Sequence, residues 1–122
     1  MRNIFIIEDN DANYMLLEEI LSEFKVELTR AKDCKQFYSI VKVKPVRFDL
    51  ILMDIMLPDG NGIDLTKHLI DEGFKIPIVF ISAYTEKCEE IFDLGVEHFI
   101  TKPVMEELFL KIVSNYIKLK RL

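Results

Sequence analysis

The sequence predicts an α/β fold: a doubly wound, five-stranded parallel sheet with helices on both faces. Three runs are almost wholly apolar, as in strands buried on both faces: Ile4–Ile7, Leu50–Met53 and Ile76–Ile81. Two others alternate apolar and polar residues and are predicted edge strands: Val26–Thr29 and Val96–Phe99. Helical patterns separate the five runs. The chain is therefore a (βα)5 unit, and the edge signals fit the strand order 2-1-3-4-5.

The predicted helices are defined by apolar residues that recur on one face, together with signals for their ends. In chain order, the indications are Tyr14, Leu17, Leu21 and Phe24; Phe37, Ile40 and Val41 after a cap at Asp33; Leu65, Leu69 and Ile70 with a stop at Gly73; Glu86–Leu94 ending at Gly95; and Phe109, Ile112, Val113 and Tyr116.

Composition limits the possible functions. A length of 122 residues suits a single domain, 1–122, with a sizeable core. The net charge of −5 argues against nucleic acid or an anionic membrane as the main partner. No apolar run reaches the ~20 residues of a membrane helix, and no signal peptide is expected. Cys34 and Cys88 lack metal-site spacing and are predicted to be reduced thiols of a cytoplasmic protein.

Chemically active residues follow four of the predicted strands. Glu8 and Asp9 come after the first strand, Asp54 after the third, Ser82 ends the fourth, and Lys102 follows the fifth. Because parallel strands end at one edge of a sheet, where ligands bind in such folds, these side chains are predicted to lie together.

This combination of residue types indicates phosphoryl chemistry. Clustered carboxylates repel one another, and Mg²⁺ with its preference for oxygen ligands would relieve that repulsion. A metal and a lysine together form a site for a phosphoryl group in transfer. Carboxylates serve as nucleophiles in such reactions, and Asp54 is the central candidate.

Each residue also has an ordinary structural interpretation. Glu8 and Asp9 could cap or charge the first helix, Lys102 could be a solvated loop residue, and Ser82 could be a turn hydroxyl. Asp54 is harder to explain in this way, because it ends an apolar run without a local partner. The joint occurrence of all these residues favours a functional site.

Four motifs carry a resemblance to a known family. In order they are IIEDN (6–10), ILMDIMLPDGNG (51–62), FISAY (80–84) and FITKP (99–103). They resemble the receiver domain of two-component response regulators, the CheY-like family, over essentially the whole chain. The resemblance implies that Asp54 accepts a phosphoryl group. It also implies a site for Mg²⁺ or Mn²⁺, with Asp9 as a direct ligand, Glu8 holding metal-bound water, and the backbone carbonyl of Met56 as a further ligand.

The resemblance also implies a conformational switch. Ser82 would bond the aspartyl phosphate, Phe99 would turn inward, and Lys102 would contact the phosphoryl group. The Lys102–Pro103 peptide bond is expected to be cis. Ser82 stands where threonine is commoner, and Phe99 where tyrosine is also common. From Ser82 to Gly95 there are 13 positions, about two fewer than usual, so the fourth helix or its leading loop is predicted to be short.

The resulting hypothesis is a signalling switch rather than a free-standing enzyme, with only self-phosphorylation and autophosphatase activity. Its expected partners are a histidine kinase or histidine phosphotransfer protein and an output domain or protein, with a homodimer possible on activation. The chain could be complete or part of a longer regulator. One alternative is a receiver fold that is not phosphorylated and acts as a constitutive interaction module. Another, flavodoxin-like electron transfer, lacks a phosphate loop after the first strand.

Overall fold

A five-stranded parallel sheet forms the centre of the computed structural model, which describes residues 1–42 and 47–122. The strands are β1 (Arg2–Ile7), β2 (Val26–Ala31), β3 (Leu50–Met53), β4 (Ile78–Ser82) and β5 (His98–Thr101). All pairs are parallel and their order is β2-β1-β3-β4-β5, which confirms the predicted 2-1-3-4-5 topology.

Within residues 1–42 and 47–122, five α-helices cover the two faces of this sheet: α1 (Asp11–Leu21), α2 (Cys34–Lys42), α3 (Gly62–Asp71), α4 (Cys88–Asp93) and α5 (Glu106–Val113). Successive strand residues point to opposite faces. Ile4 and Ile6 therefore pack with α1 and α5, whereas Phe5 and Ile7 pack with α2, α3 and α4. None of the described helices is long and apolar enough to cross a membrane. Cys34 and Cys88 are free thiols, as predicted.

Two strand boundaries differ from the prediction. β4 begins at Ile78 rather than Ile76 because Pro77 has no N–H to donate; its carbonyl accepts the Ile51 N–H at 2.9 Å. β5 spans His98–Thr101 rather than Val96–Phe99, since Val79 pairs with His98. Val96 is nevertheless buried, as part of the core beneath α2, α3 and α4.

Three helices are also shorter than predicted, and the first of them, α1, ends at Leu21, before the predicted Phe24. In place of the predicted helix Glu86–Leu94, the chain forms a 3₁₀ turn, Thr85–Lys87, and then the six-residue helix α4. Ile91 is the buried residue of α4. Helix α5 ends at Val113, before the predicted Tyr116. Apolar periodicity continues beyond the helical backbone because residues in the following turns still pack on the core.

Side-chain caps set the starts of three helices. Asn10 caps α1, its Oδ1 accepting the Asn13 N–H at 2.9 Å, so the possible cap by Glu8 or Asp9 is wrong. The predicted cap at Asp33 is confirmed, because its Oδ1 accepts the Gln36 N–H at 2.8 Å. Asn61 caps α3 in the same way.

The segment after β3 turns back in a short antiparallel hairpin, Met56–Leu57 with Gly60–Asn61. At its tip, Asp59 accepts the N–H groups of Cys34 and Lys35 at 2.8 and 3.1 Å and so joins the hairpin to the start of α2. These hydrogen bonds, that of Cys34 foremost, lower the pKa of Asp59.

Gly62 follows the hairpin and lies against the end of β3. Its N–H donates to the Ile55 carbonyl at 2.8 Å. A Cβ at this position would lie 2.0 Å from the Asp54 carbonyl oxygen and 2.7 Å from Met53 Cγ. The close approach of two backbone segments therefore requires glycine here.

We expect Gly62→Ala to lower the free energy of unfolding by about 3 kcal/mol, since the added methyl group collides with backbone that cannot move freely. Urea denaturation measures the loss. Gly60→Ala is the matched control, because its methyl group would meet chiefly the Cys34 sulfur, at 2.8 Å, which can shift. Equal losses in the two variants would contradict this account of Gly62.

Candidate functional site

The carboxyl ends of the central strands bring the predicted residues together. Glu8 follows β1 and is 2% exposed, Asp54 follows β3 and is 6% exposed, and Ser82 ends β4 and is fully buried. Backbone pairing between β1 and β3 holds Asp54 in its buried position, because the Asp54 N–H donates to the Ile7 carbonyl at 3.1 Å. The apolar residues that precede Glu8, Asp54 and Ser82 form buried strands. The three polar side chains that follow them are therefore buried at the edge of the core.

Lys102 joins two of these groups. Its Nζ lies 2.7 Å from Asp54 Oδ2 and 2.7 Å from Glu8 Oε1. The Lys102 side chain is 17% exposed, so it is no solvated loop residue. The Lys102–Pro103 peptide is cis, as the resemblance implies, and the Lys102 N–H donates to the Ser82 carbonyl.

The remaining oxygens of both carboxylates accept backbone hydrogen bonds. Asp54 Oδ1 accepts the Ile55 N–H at 2.7 Å, and Glu8 Oε2 accepts the Asn10 N–H at 3.1 Å. Each carboxylate is thus held at both oxygens. This arrangement orients the two groups before any ligand binds.

Burial and charge shift two pKa values in the site. Burial raises the pKa of Glu8, and the neighbouring Asp54 charge raises it further against the opposing effect of Lys102. Burial alone would lower the pKa of Lys102, but its hydrogen bonds to Asp54 and Glu8 outweigh that effect and raise it. Lys102 is therefore a firmly protonated cation between two acidic groups.

The site also contains a set of oxygen donors suited to a hard cation. One carboxylate oxygen each from Glu8, Asp9 and Asp54 lies within 4.8 Å of the other two. Asp9 is exposed, whereas the other two residues are buried. Three carboxylates that open to solvent on one side fit Mg²⁺, which binds to a few carboxylates and keeps several waters. Met56 starts the neighbouring hairpin, and the role of its carbonyl stays a prediction.

The two predicted switch residues lie on neighbouring strands: Ser82 ends β4, and Phe99 is on β5. Ser82 Oγ accepts the Tyr84 N–H at 3.3 Å, and among the described residues its hydroxyl has no hydrogen-bond acceptor. Phe99, on the edge strand β5, is half-buried against the core beneath α2, α3 and α4. Their roles in switching stay predictions.

Sequence reasoning missed one residue next to the site. Arg30, on β2, donates from Nε to the Glu8 carbonyl at 3.0 Å. Its position in an alternating edge strand carries no local signal of this contact, since the two residues are 22 positions apart. Asp59, at the tip of the hairpin, was missed for the same reason: it accepts the N–H groups of Cys34 and Lys35, which are 25 and 24 positions away.

Comparison with known proteins agrees with this geometry. Residues 4–114 match the family model described as "Response regulator receiver domain". The chain is 32% identical, over 95% of its length, to hybrid signal transduction histidine kinase I of Dictyostelium discoideum, but it spans only 7% of that protein's length. It is 30% identical to the polar-differentiation response regulator DivK of Brucella anthropi, covering 95% of this chain and 96% of that protein.

Solved structures show the same fold. The receiver domain of HemR from Leptospira biflexa, in its non-phosphorylated form, matches with a TM-score of 0.83 and 29% identity, covering 100% of this chain and 98% of the other. The receiver domain of a sensor histidine kinase from Pseudomonas aeruginosa matches with a TM-score of 0.80 and 23% identity, covering 94% and 96%. The latter structure has a magnesium ion coordinated in its active site cleft.

Removing the Lys102 ammonium should destabilise the protein. We expect Lys102→Met to lower the free energy of unfolding by about 3 kcal/mol in buffer with a chelator, because two buried carboxylates lose their shared cation. Lys67→Met is the control: it breaks the exposed pair with Glu90 at 3.8 Å and should cost less than about 1 kcal/mol. Urea denaturation compares them, and a loss at Lys102 no larger than at Lys67 would reject this role.

The raised pKa of Glu8 predicts a pH dependence. A group whose pKa is higher in the folded state contributes stability below its unfolded pKa and loses that contribution as pH rises through the folded pKa. Relative to Glu8→Gln, wild-type protein should therefore be most stable below pH 4.5 and lose stability as the pH rises above that value in chelating buffer. Denaturation across this range measures the difference. The exposed Glu89→Gln should follow wild type; a pH-independent difference for Glu8→Gln would contradict the prediction.

Proposed function

The chain belongs to the response regulator receiver domain family of two-component signalling, and we propose that it is a switch controlled by phosphorylation of Asp54. The observation that carries the proposal is the position of Asp54: it is nearly buried, lies 2.7 Å from the Lys102 ammonium, and shares a cluster of oxygen donors with Glu8 and Asp9.

The proposed reaction is transfer of a phosphoryl group from a phosphohistidine. A carboxylate oxygen of Asp54 forms a bond to phosphorus while the bond from phosphorus to the imidazole nitrogen breaks. The nitrogen keeps the electron pair and takes up a proton. Lys102, already beside Asp54 Oδ2, is placed to balance the negative charge that the phosphoryl oxygens bring into the site.

The proposed metal site uses Glu8, Asp9 and Asp54 together with the Met56 carbonyl. A Mg²⁺ or Mn²⁺ ion held there supplies positive charge that the carboxylates and the phosphoryl oxygens share. The acidic donor set supports this assignment, as does the magnesium ion in the Pseudomonas receiver. Asp9, the exposed member of the set, offers its oxygens to a ligand arriving from solvent.

The proposed response involves Ser82 and Phe99. The Ser82 hydroxyl is buried and free to donate to a phosphoryl oxygen, and Phe99 turns inward as the serine moves. The surface formed by α4, β5 and α5 then changes its affinity for an output domain or protein. Three exposed apolar side chains in this region support its role as a docking surface: Phe92, Met105 and Leu108.

Family membership supports the remaining proposals. Residues 1–122 are proposed to form one receiver domain that acts in the cytoplasm. The phosphoryl donor is a histidine kinase or a histidine phosphotransfer protein, and activation could form a homodimer. The domain promotes its own phosphorylation and dephosphorylation but is not proposed to be a free-standing enzyme.

Mass spectrometry after incubation with acetyl phosphate and Mg²⁺ tests the proposal. Wild-type protein is expected to gain one phosphoryl group, and Asp54→Asn to gain none, because the amide is a poor nucleophile. Asp71→Asn, at an exposed position on α3, is the matched control and should react like wild type.

Beryllofluoride, which mimics a phosphoryl group on a carboxylate, gives an independent readout. We expect NMR shifts at Ser82 and Phe99 in wild-type protein and none in Asp54→Asn. If wild type neither gained mass nor shifted, the alternative of a constitutive interaction module would replace the proposed switch.

A further inference from the structure

Arg30 contacts both the acidic loop that joins β1 to α1, residues 8–10, and the first residue of α1, Asp11. Its guanidinium group makes three contacts: Nε donates to the Glu8 carbonyl at 3.0 Å, Nη1 pairs with Asp11 at 2.9 Å, and Cζ lies 4.5 Å from the centre of the Tyr14 ring. The side chain is 16% exposed. An arginine so deeply placed is fixed in orientation by the planar geometry of its donors.

These contacts hold the loop on both sides of Asp9. The Glu8 carbonyl precedes Asp9, and Asp11 begins α1 two residues later. Asp9 itself is exposed and, within the described residues, makes no side-chain hydrogen bond or ion pair. The location of its carboxylate therefore depends on the backbone that carries it.

Arg30 is not explained by its contribution to stability alone. Its Nη2 is buried and has no hydrogen-bond partner among the described residues, and an unpaired buried donor is unfavourable. Asp11, its ion-pair partner, also has Lys32 at 3.6 Å. Asp11 therefore has a second cation, Lys32, as an ion-pair partner. Among the described contacts, by contrast, Arg30 is the one donor to the Glu8 carbonyl.

We propose that Arg30 is a positioning residue for the metal site: by holding the Glu8 carbonyl and Asp11 together, it keeps Asp9 within reach of Glu8 and Asp54. The inference rests on the proposed function, because it assumes that these carboxylates bind a divalent cation. Arg30 touches neither the metal nor the phosphoryl group and acts only through the loop.

The charge of Arg30 and its geometry have opposite effects on metal affinity. A positive charge near three carboxylates repels a cation, so its removal alone would strengthen Mg²⁺ binding. Loss of the hydrogen bond to the Glu8 carbonyl would loosen the loop and weaken binding. The direction of the change therefore separates positioning from simple electrostatics.

The experiment titrates Mg²⁺ into four proteins: wild type, Arg30→Gln, Arg30→Lys and Arg121→Gln. Binding is followed by the backbone NMR signals of Asp9 and Asn10. Arg30→Lys keeps the charge but loses the planar fork. Arg121 is a matched control, since it also lies over an aromatic ring, 5.1 Å from that of Phe24, and pairs with Glu23 at 3.7 Å, away from the site.

Both Arg30 variants are expected to weaken Mg²⁺ binding about tenfold, the lower end of the loss seen when residues that orient metal ligands are replaced. Arg121→Gln should match wild type. Tighter binding by Arg30→Gln with unchanged Arg30→Lys would show an effect of charge only and overturn the inference. Unchanged affinity in both variants, or unfolding of both, would assign Arg30 to the fold alone. A wild-type protein that did not bind Mg²⁺ would instead reject the proposed metal site itself.

Discussion

The contact of Lys102 with two buried carboxylates is the interaction on which the arrangement of the site depends. Glu8 and Asp54 are carried to the edge of the core by β1 and β3, and their charges would be unfavourable there without a cation. The segment after β5 must therefore return over the strand ends to bring the ammonium within 2.7 Å of both. One lysine thereby links the first, third and fifth strands of the sheet.

The backbone around β3 limits how Asp54 can respond to this lysine. The Ile55 N–H holds one carboxylate oxygen, while Gly62 packs against the Asp54 carbonyl at a distance that excludes a side chain. Asp59 ties the adjoining hairpin to α2. Asp54 is consequently fixed through both its side chain and its backbone, and its second oxygen faces Lys102. Such preorganisation lowers the reorganisation needed when charge develops at the site.

The sequence was sufficient for those features that depend on local pattern. Apolar runs predicted the strands and their order, and the residues at the strand ends predicted that Glu8, Asp9, Asp54 and Lys102 would meet. The sequence did not predict contacts between residues that are far apart along the chain. Nothing in the alternation of β2 indicates that Arg30 bonds the Glu8 carbonyl, because that contact exists only once β1 and β2 are in register. The observed strand ends differ from the predicted ones where backbone hydrogen bonding, rather than hydrophobicity, determines which residues join the sheet.

The two sides of the site differ in how firmly they are held. On the β2 side, Arg30 and Asp59 add hydrogen bonds that join separate parts of the chain. On the β5 side, α4 has six residues with one of them buried, and neither it nor the preceding 3₁₀ turn begins with a side-chain cap. Elements with few buried contacts open and rearrange at the lowest free-energy cost. We therefore expect a change of charge at Asp54 to be relieved mainly towards α4 and the preceding turn, while the loop carrying Asp9 remains in place.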